Sequence, residues 1–176
     1  MGFVGRIEPR KGQLDLIAAF EHYHRRYSDS RLALVGPVAD ARYAAELKKL
    51  IRRNGLSSAV TIQGKVRNAY REMKKWALFV SMSKDEGQGL AVLEAMSLDV
   101  PVIARDAAGI RDYLRTGING ISLESTAPSV AAGRIEELME DRNLAGRLVR
   151  GATRTVQAHF NWDQNVKRLN RLCGAA

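Results

Sequence analysis

Two carboxylates stand eight positions apart in the stretch Lys84-Asp85-Glu86-Gly87-Gln88-Gly89-Leu90-Ala91-Val92-Leu93-Glu94-Ala95-Met96. The stretch follows a strand-like run over 77–81 and opens what reads as a helix. Glycines let a backbone approach a ligand closely. Unpaired N–H groups and the positive dipole end at a helix start receive phosphate. Glu86 precedes the helix and Glu94 lies inside it, so each can accept bonds from hydroxyls. Helix rise places Glu94 roughly 7–8 Å beyond the phosphate end. That is close to the offset between a diphosphate and a ribose. These residue types, so spaced, suit a phosphorylated, hydroxyl-rich ligand.

Cations stand near enough in sequence to the first strand to join such a site. Arg6 offers a planar fork and Lys11 a point charge, and together they could clamp a diphosphate. Ordinary loop charge is the competing reading, and Arg10 could replace either. Glu94 could be a plain helix glutamate, although its neighbours Val92, Leu93 and Met96 read as buried. Glu86 could be an acid favoured by the helix dipole alone. Lys84 and Asp85 read as solvent-facing. Gly87-Gln88-Gly89 by itself is a weak signal. It is not a dinucleotide fingerprint, because the third glycine is missing and position 92 is Val. Gly64-Lys65 lacks the Ser or Thr of a Walker loop.

The elements that must position these residues alternate strand and helix. Strands are expected at Phe3–Gly5, Arg31–Val35, Val60–Gln63, Ala77–Ser81, Val100–Ala104 and Gly120–Leu123. A helix over Gln13–Tyr27 turns Leu14, Ile17, Ala18 and Phe20 to the core. A second, capped by Asp40 and stopped at Gly55, presents Tyr43, Leu47, Leu50 and Ile51 at helical spacing. Asn68 caps a short helix carrying Tyr70, Met73 and Trp76. Leu90–Leu98 and Ile110–Leu114 are further helices, and two or three more close the chain from Pro128 to Cys173. This alternation predicts an α/β fold with a doubly wound parallel sheet. The whole chain, 1–176, reads as one domain, with Ser125–Pro128 the candidate hinge. Ligands of such sheets lie beyond the carboxyl ends of the strands. That rule points to four loops: Arg6–Gly12, Gly36–Asp40, Gly64–Asn68 and Ser83–Gly89.

A net charge of +9 and a pI near 10.0 favour anionic partners. Basic clusters at Lys48-Lys49 with Arg52-Arg53 and at Arg147, Arg150 and Arg154 also fit a solvated helix face. The few aromatics do not interleave with them, so stacking platforms for nucleic acid are not evident. One cysteine, Cys173, fits a reducing compartment. The start is not a signal peptide, and no apolar run approaches a membrane span. His22, His24 and His159 make no metal pattern.

Read together, these residues resemble the group 1 (family 4) nucleotide-sugar glycosyltransferases. The likeness is carried by Glu86-x7-Glu94 with Gly87-Gln88-Gly89-Leu90 and Glu94-Ala95-Met96. It extends to Phe3-Val4-Gly5-Arg6-Ile7 with Lys11-Gly12, and to Val100–Ala104 with Gly109-Ile110 and Asp112. Gly117-Ile118-Asn119-Gly120-Ile121 and Phe160-Asn161-Trp162 complete it, so the resemblance covers essentially the whole chain. It implies a Rossmann-like half of a GT-B architecture that moves a sugar, with retention, from a nucleoside diphosphate to an acceptor hydroxyl.

By the same resemblance, Arg6 and Lys11 bind the diphosphate and Glu94 the ribose. Lys65 and Val66 meet the base, and Gly87, Gln88, Gly89 and Leu90 line the donor site. Glu86 stands at the donor sugar as the catalytic carboxylate, either holding sugar hydroxyls or stabilising positive charge at the anomeric carbon. Gln88 departs from the aromatic common in the family, which bears on the sugar's identity. Gly109 and Asp112 read as structural, and Phe160 and Trp162 as core or interface aromatics.

The family needs no metal or other cofactor. Its other, N-terminal domain supplies the acceptor site and usually a catalytic histidine, and is expected to be absent here. Without it, Glu86 and the Arg6/Lys11 pair are expected to face open solvent. The expected partners are a nucleoside-diphosphate sugar, the missing domain and an anionic membrane touched peripherally, with no nucleic acid. The expected location is cytoplasmic. A non-catalytic nucleotide-binding module and a basic RNA-binding domain are the alternative readings.

Overall fold

The computed structural model describes residues 1–161. Expectations for Trp162 and Cys173 lie outside them. Six strands form one parallel sheet: β1 Gly2–Val4, β2 Leu32–Val35, β3 Val60–Gly64, β4 Phe79–Ser81, β5 Val102–Arg105 and β6 Ile121–Leu123. Their order across the sheet is β3-β2-β1-β4-β5-β6. The chain first steps outward from β1 and then returns to its other side. The connection from β3 to β4 is therefore the topological switch, and the crevice lies between β1 and β4.

The strands are mostly buried, except on the edge strand β3, where only Val60 is. Alternation sorts the side chains to two cores. On β5, Ile103 joins one core while Val102 and Ala104 join the other. On β4, Val80 and Phe79 divide in the same way. The first core is covered by α1 Gln13–His24, α2 Ala41–Arg53 and α6 Pro128–Glu140. The second is covered by α3 Ala69–Met73, α4 Leu90–Ser97 and α5 Ala108–Arg111. The long α7, Arg142–His159, reaches both: Leu148 enters the first core and Ala152 the second. Phe3, Phe20 and Phe79 are fully buried, each stabilising the fold by roughly 1.5–3 kcal/mol through removal from water.

The expected caps form. Asp40 Oδ1 accepts from the Tyr43 amide at 2.9 Å, and Asn68 Oδ1 from that of Arg71 at 3.1 Å. Two expectations are corrected. The first helix ends at His24, and its buried face is Leu16, Ile17, Ala19, Phe20 and Tyr23. Leu14 is half-buried but packs against the core as expected, whereas Ala18 is only half-buried, because α1 packs against α6 as well as the sheet and so turns a different arc inward. The fifth helix starts at Ala108, ahead of Ile110, so that Gly109 can lie against the loop after β4. Ser125–Pro128 is a short link within one packed unit, since Leu123 before it and Ile135 after it share a core.

Candidate functional site

A cleft of about 430 Å³ opens at the β1/β4 switch point. Of the four loops expected at the carboxyl edge, the strand order selects two: Arg6–Gly12 after β1 and Ser83–Gly89 after β4. Arg6, Lys11, Glu86 and Glu94 all line this cleft, as do Gln88, Gly89 and Leu90. Arg10 lines it too.

Lys65, Val66 and Gly87 do not line it. Gly87 lies on the loop but presents its carbonyl to Gly109. Lys65 is exposed and Val66 half-buried on the loop after β3. β3 is the edge strand, two places from β1, roughly 10 Å across the sheet at the usual strand spacing.

The two cleft loops hold each other. The Lys84 amide donates to the Arg10 carbonyl at 2.8 Å. Gln13, fully buried, donates its side-chain amide to the Arg6 carbonyl at 2.8 Å. Behind Glu86, the Gly109 amide donates to the Glu86 carbonyl at 3.0 Å. A Cβ on Gly109 would stand 2.1 Å from the Gly87 carbonyl oxygen, so α5 braces the loop only because that residue is glycine. Asp112, the matching acid, is exposed.

Gly89 caps α4 at φ 68°, and a Cβ there would meet Ile110 and the Tyr113 hydroxyl within 2.9 Å. Tyr113 donates to the Gly89 carbonyl at 3.3 Å. Burial, reinforced by the Glu86 charge, pushes the Tyr113 hydroxyl well above its ordinary pKa, so it stays a donor. These contacts aim the first turn of α4, with the amides of Leu90 and Ala91, at the cleft.

The charges are arranged less simply than the sequence suggests. Lys11 Nζ donates to Glu86 Oε1 at 2.6 Å, and the two side chains are only 12% and 16% exposed. The expectation that they face open solvent is thus corrected: each covers the other in the crevice. Arg6 does face solvent, at 55% exposure. Glu8, which sequence reasoning did not single out, bridges Arg6 at 3.2 Å and Arg10 at 2.8 Å. The alternation Arg6-x-Glu8-x-Arg10 was the available signal. Lys11 therefore lies deep beside Glu86, while the two guanidiniums stand at the mouth.

Glu94 is half-buried, five residues into α4. Its Oε1 accepts from the Tyr70 hydroxyl at 3.2 Å. Tyr70 stands on α3, as the sequence suggested, and is 47% exposed. Lys84 and Asp85 are exposed, as the sequence suggested. Phe160 packs edge-on against Tyr113 at 5.4 Å. Chemically, the cleft can take an anion at the α4 start and at the cations, with hydroxyl-bearing groups towards either carboxylate. Among the described residues, no three His, Cys, Asp or Glu side chains gather as a metal site. No helix among them is long and apolar enough to cross a membrane.

A doubly wound, Rossmann-like α/β domain with a polar crevice at its switch point defines the structural class. The chain belongs to the group 1 glycosyl transferases, whose family model matches residues 1–155. It is 29% identical over 161 residues to the alpha-D-kanosaminyltransferase of Streptomyces kanamyceticus, covering 90% of this chain and 41% of that protein. The structure of the Anabaena protein Alr3699/HepE in complex with UDP superposes with a TM-score of 0.91 at 24% identity. That match covers 99% of this chain and 48% of the other. The C-terminal domain of a group 1 family glycosyl transferase (LpcC) from Francisella tularensis matches with a TM-score of 0.78 at 23% identity, covering 92% of this chain and 86% of that domain. The chain spans less than half the length of the curated relatives it matches.

Proposed function

We propose that this chain is the donor-binding half of a retaining glycosyltransferase, which moves a sugar from a nucleoside diphosphate to an acceptor hydroxyl. One observation carries the reading: Lys11, the α4 N-terminus, Glu86 and Glu94 meet in a single cleft at the switch point. The diphosphate lies across the first turn of α4, met by amides and by Lys11 and Arg6. As the sugar leaves, negative charge grows on that diphosphate, and cations fixed there stabilise it. No metal is required for this role. Glu94 takes the ribose hydroxyls. The base extends along the sheet edge towards Lys65 and Val66.

Glu86 faces the sugar. Held by Lys11, it stays oriented while positive charge develops at the anomeric carbon. Gln88 and Leu90 border the sugar's side of the cleft. A second domain closes the crevice and brings the acceptor, a proposal that fits the chain's share of its relatives' length. Closure excludes water and aligns the reactants, which supplies much of the rate in such transfers. The exposed cations of α2, among them Lys48, Lys49, Arg52 and Arg53, give the assembled protein a peripheral hold on an anionic, cytoplasmic membrane face.

Calorimetric titration with UDP, GDP, ADP and TDP, with excess EDTA present, tests the reading. At least one should bind. Arg6→Ala and Lys11→Ala should each weaken that binding by about 1.5–3 kcal/mol, while affinity for the bare nucleoside barely moves. Equal losses for nucleoside and diphosphate would refute the phosphate role. Binding that needs added magnesium or manganese would refute the metal-free site.

A further inference from the structure

The contact between Tyr70 and Glu94 joins two elements that the sequence gives no reason to connect. Tyr70 is the second residue of α3, directly after the Asn68 cap that ends the loop holding Lys65 and Val66. Its ring is not core: almost half of it is exposed. Its hydroxyl reaches 24 positions along the chain to Glu94 Oε1. Among the described residues this is the one side-chain partner of the Glu94 carboxylate, which makes no ion pair. Glu86 differs, since its Oε1 is engaged by Lys11. A carboxylate offers about four acceptor positions over two oxygens. Glu94 therefore keeps Oε2 and further capacity for a ligand, on a group that the Tyr70 hydroxyl already restrains.

We propose that Tyr70 is a specificity-determining positioning residue, acting through Glu94. Its hydroxyl holds one carboxylate oxygen so that the other meets the vicinal hydroxyls of a ribose. The inference rests on the reading of Glu94 as the ribose acceptor. An unrestrained glutamate loses rotamer freedom when it grips a ligand, and that loss weakens binding. Tyr70 has removed part of that freedom beforehand. The charge of Glu94, followed by partial burial, raises the Tyr70 pKa above its ordinary value, so the hydroxyl donates throughout the neutral range. A carboxylate so fixed rewards a diol and leaves an acceptor unpaired when the diol is missing. Discrimination of this kind is larger than apolar contacts achieve.

The test is titration of the wild type, Tyr70→Phe and Glu94→Ala with UDP and with 2′,3′-dideoxy-UDP. Tyr70→Phe keeps the ring and removes only the donor. The wild type should prefer UDP, and Glu94→Ala should abolish the preference. Tyr70→Phe should cut the preference by about 3–10-fold, the worth of one hydrogen bond, with affinity for the dideoxy form unchanged. An unaltered preference in Tyr70→Phe, or equal weakening towards both ligands, would overturn the role of Tyr70 and leave Glu94 in place. A preference that survives Glu94→Ala would remove Glu94 from the ribose site, and this inference with it.

Discussion

Lys11 and Glu86 are tied to each other in the crevice, and breaking that tie has a calculable consequence. An exposed ion pair contributes about 0–1 kcal/mol. Removing one partner of a fully buried pair costs about 3–5 kcal/mol. At 12% and 16% exposure and 2.6 Å, this pair lies nearer the buried limit, and a coupling of about 2 kcal/mol is expected. Lys11→Met would leave Glu86 facing a partly dry cleft alone, and Glu86→Gln would do the same to Lys11. A double-mutant cycle of these two changes, read by urea unfolding through tryptophan fluorescence, isolates the pair. The double mutant should be hardly less stable than the worse single one.

The same cycle reports on the ligand. A diphosphate that reaches Lys11 must share its charge with Glu86. Glu86→Gln should therefore bind UDP about 3–10-fold more tightly than the wild type, the value of part of one charge-assisted bond. In the saturated complex, the coupling between positions 11 and 86 should fall by at least half. A coupling below about 0.5 kcal/mol in the free protein would mean that the contact contributes no net stability. Weaker UDP binding by Glu86→Gln would show that Lys11 does not serve both groups.

Two other perturbations separate the site from its frame. Gly109→Ala would drive a methyl group into the Gly87 and Glu86 carbonyls, which stand 2.1 and 2.7 Å from the new atom. Overpacking of this kind costs about 1–3 kcal/mol. Because the loop must shift, UDP affinity should fall along with the melting temperature; an unchanged affinity would show that α5 does not position Glu86. Asn119 is buried, with its side chain accepting from the Arg115 amide at 2.7 Å and donating to the Tyr113 carbonyl at 2.8 Å and Thr155 at 2.9 Å. Asn119→Ala should cost about 2–4 kcal/mol of stability, as several buried groups lose partners, while UDP affinity per folded molecule stays the same.

Much of the frame is local, and for that reason it was legible. Asp40 and Asn68 cap helices through bonds to amides three residues on, an interaction written entirely within four positions of sequence. Most strands announce themselves by apolar runs between turns, since both sheet faces are covered there; the edge strand β3 alternates instead. Glu86, Gly89 and Glu94 fall within one loop and one helix, so spacing alone placed both carboxylates on the same cleft. Segment ends were less legible. The arc of α1 that is buried depends on α6, which arrives more than a hundred residues later.

The sequence by itself determined an α/β chain with cations after the first strand and, after the fourth, one carboxylate in a loop and a second on the helix that follows. It did not determine which of four carboxyl-edge loops would share a crevice. That was decided by the strand order, which sets β1 beside β4 and leaves Lys65 and Val66 on the far edge. Nor could residue types show that Lys11 meets Glu86 across 75 positions, or that Tyr70 reaches Glu94 across 24. Each is a contact between segments whose separation is fixed by sheet register and helix packing. Local propensity acts over a few residues and carries no information about a neighbour brought in by the closing of the fold.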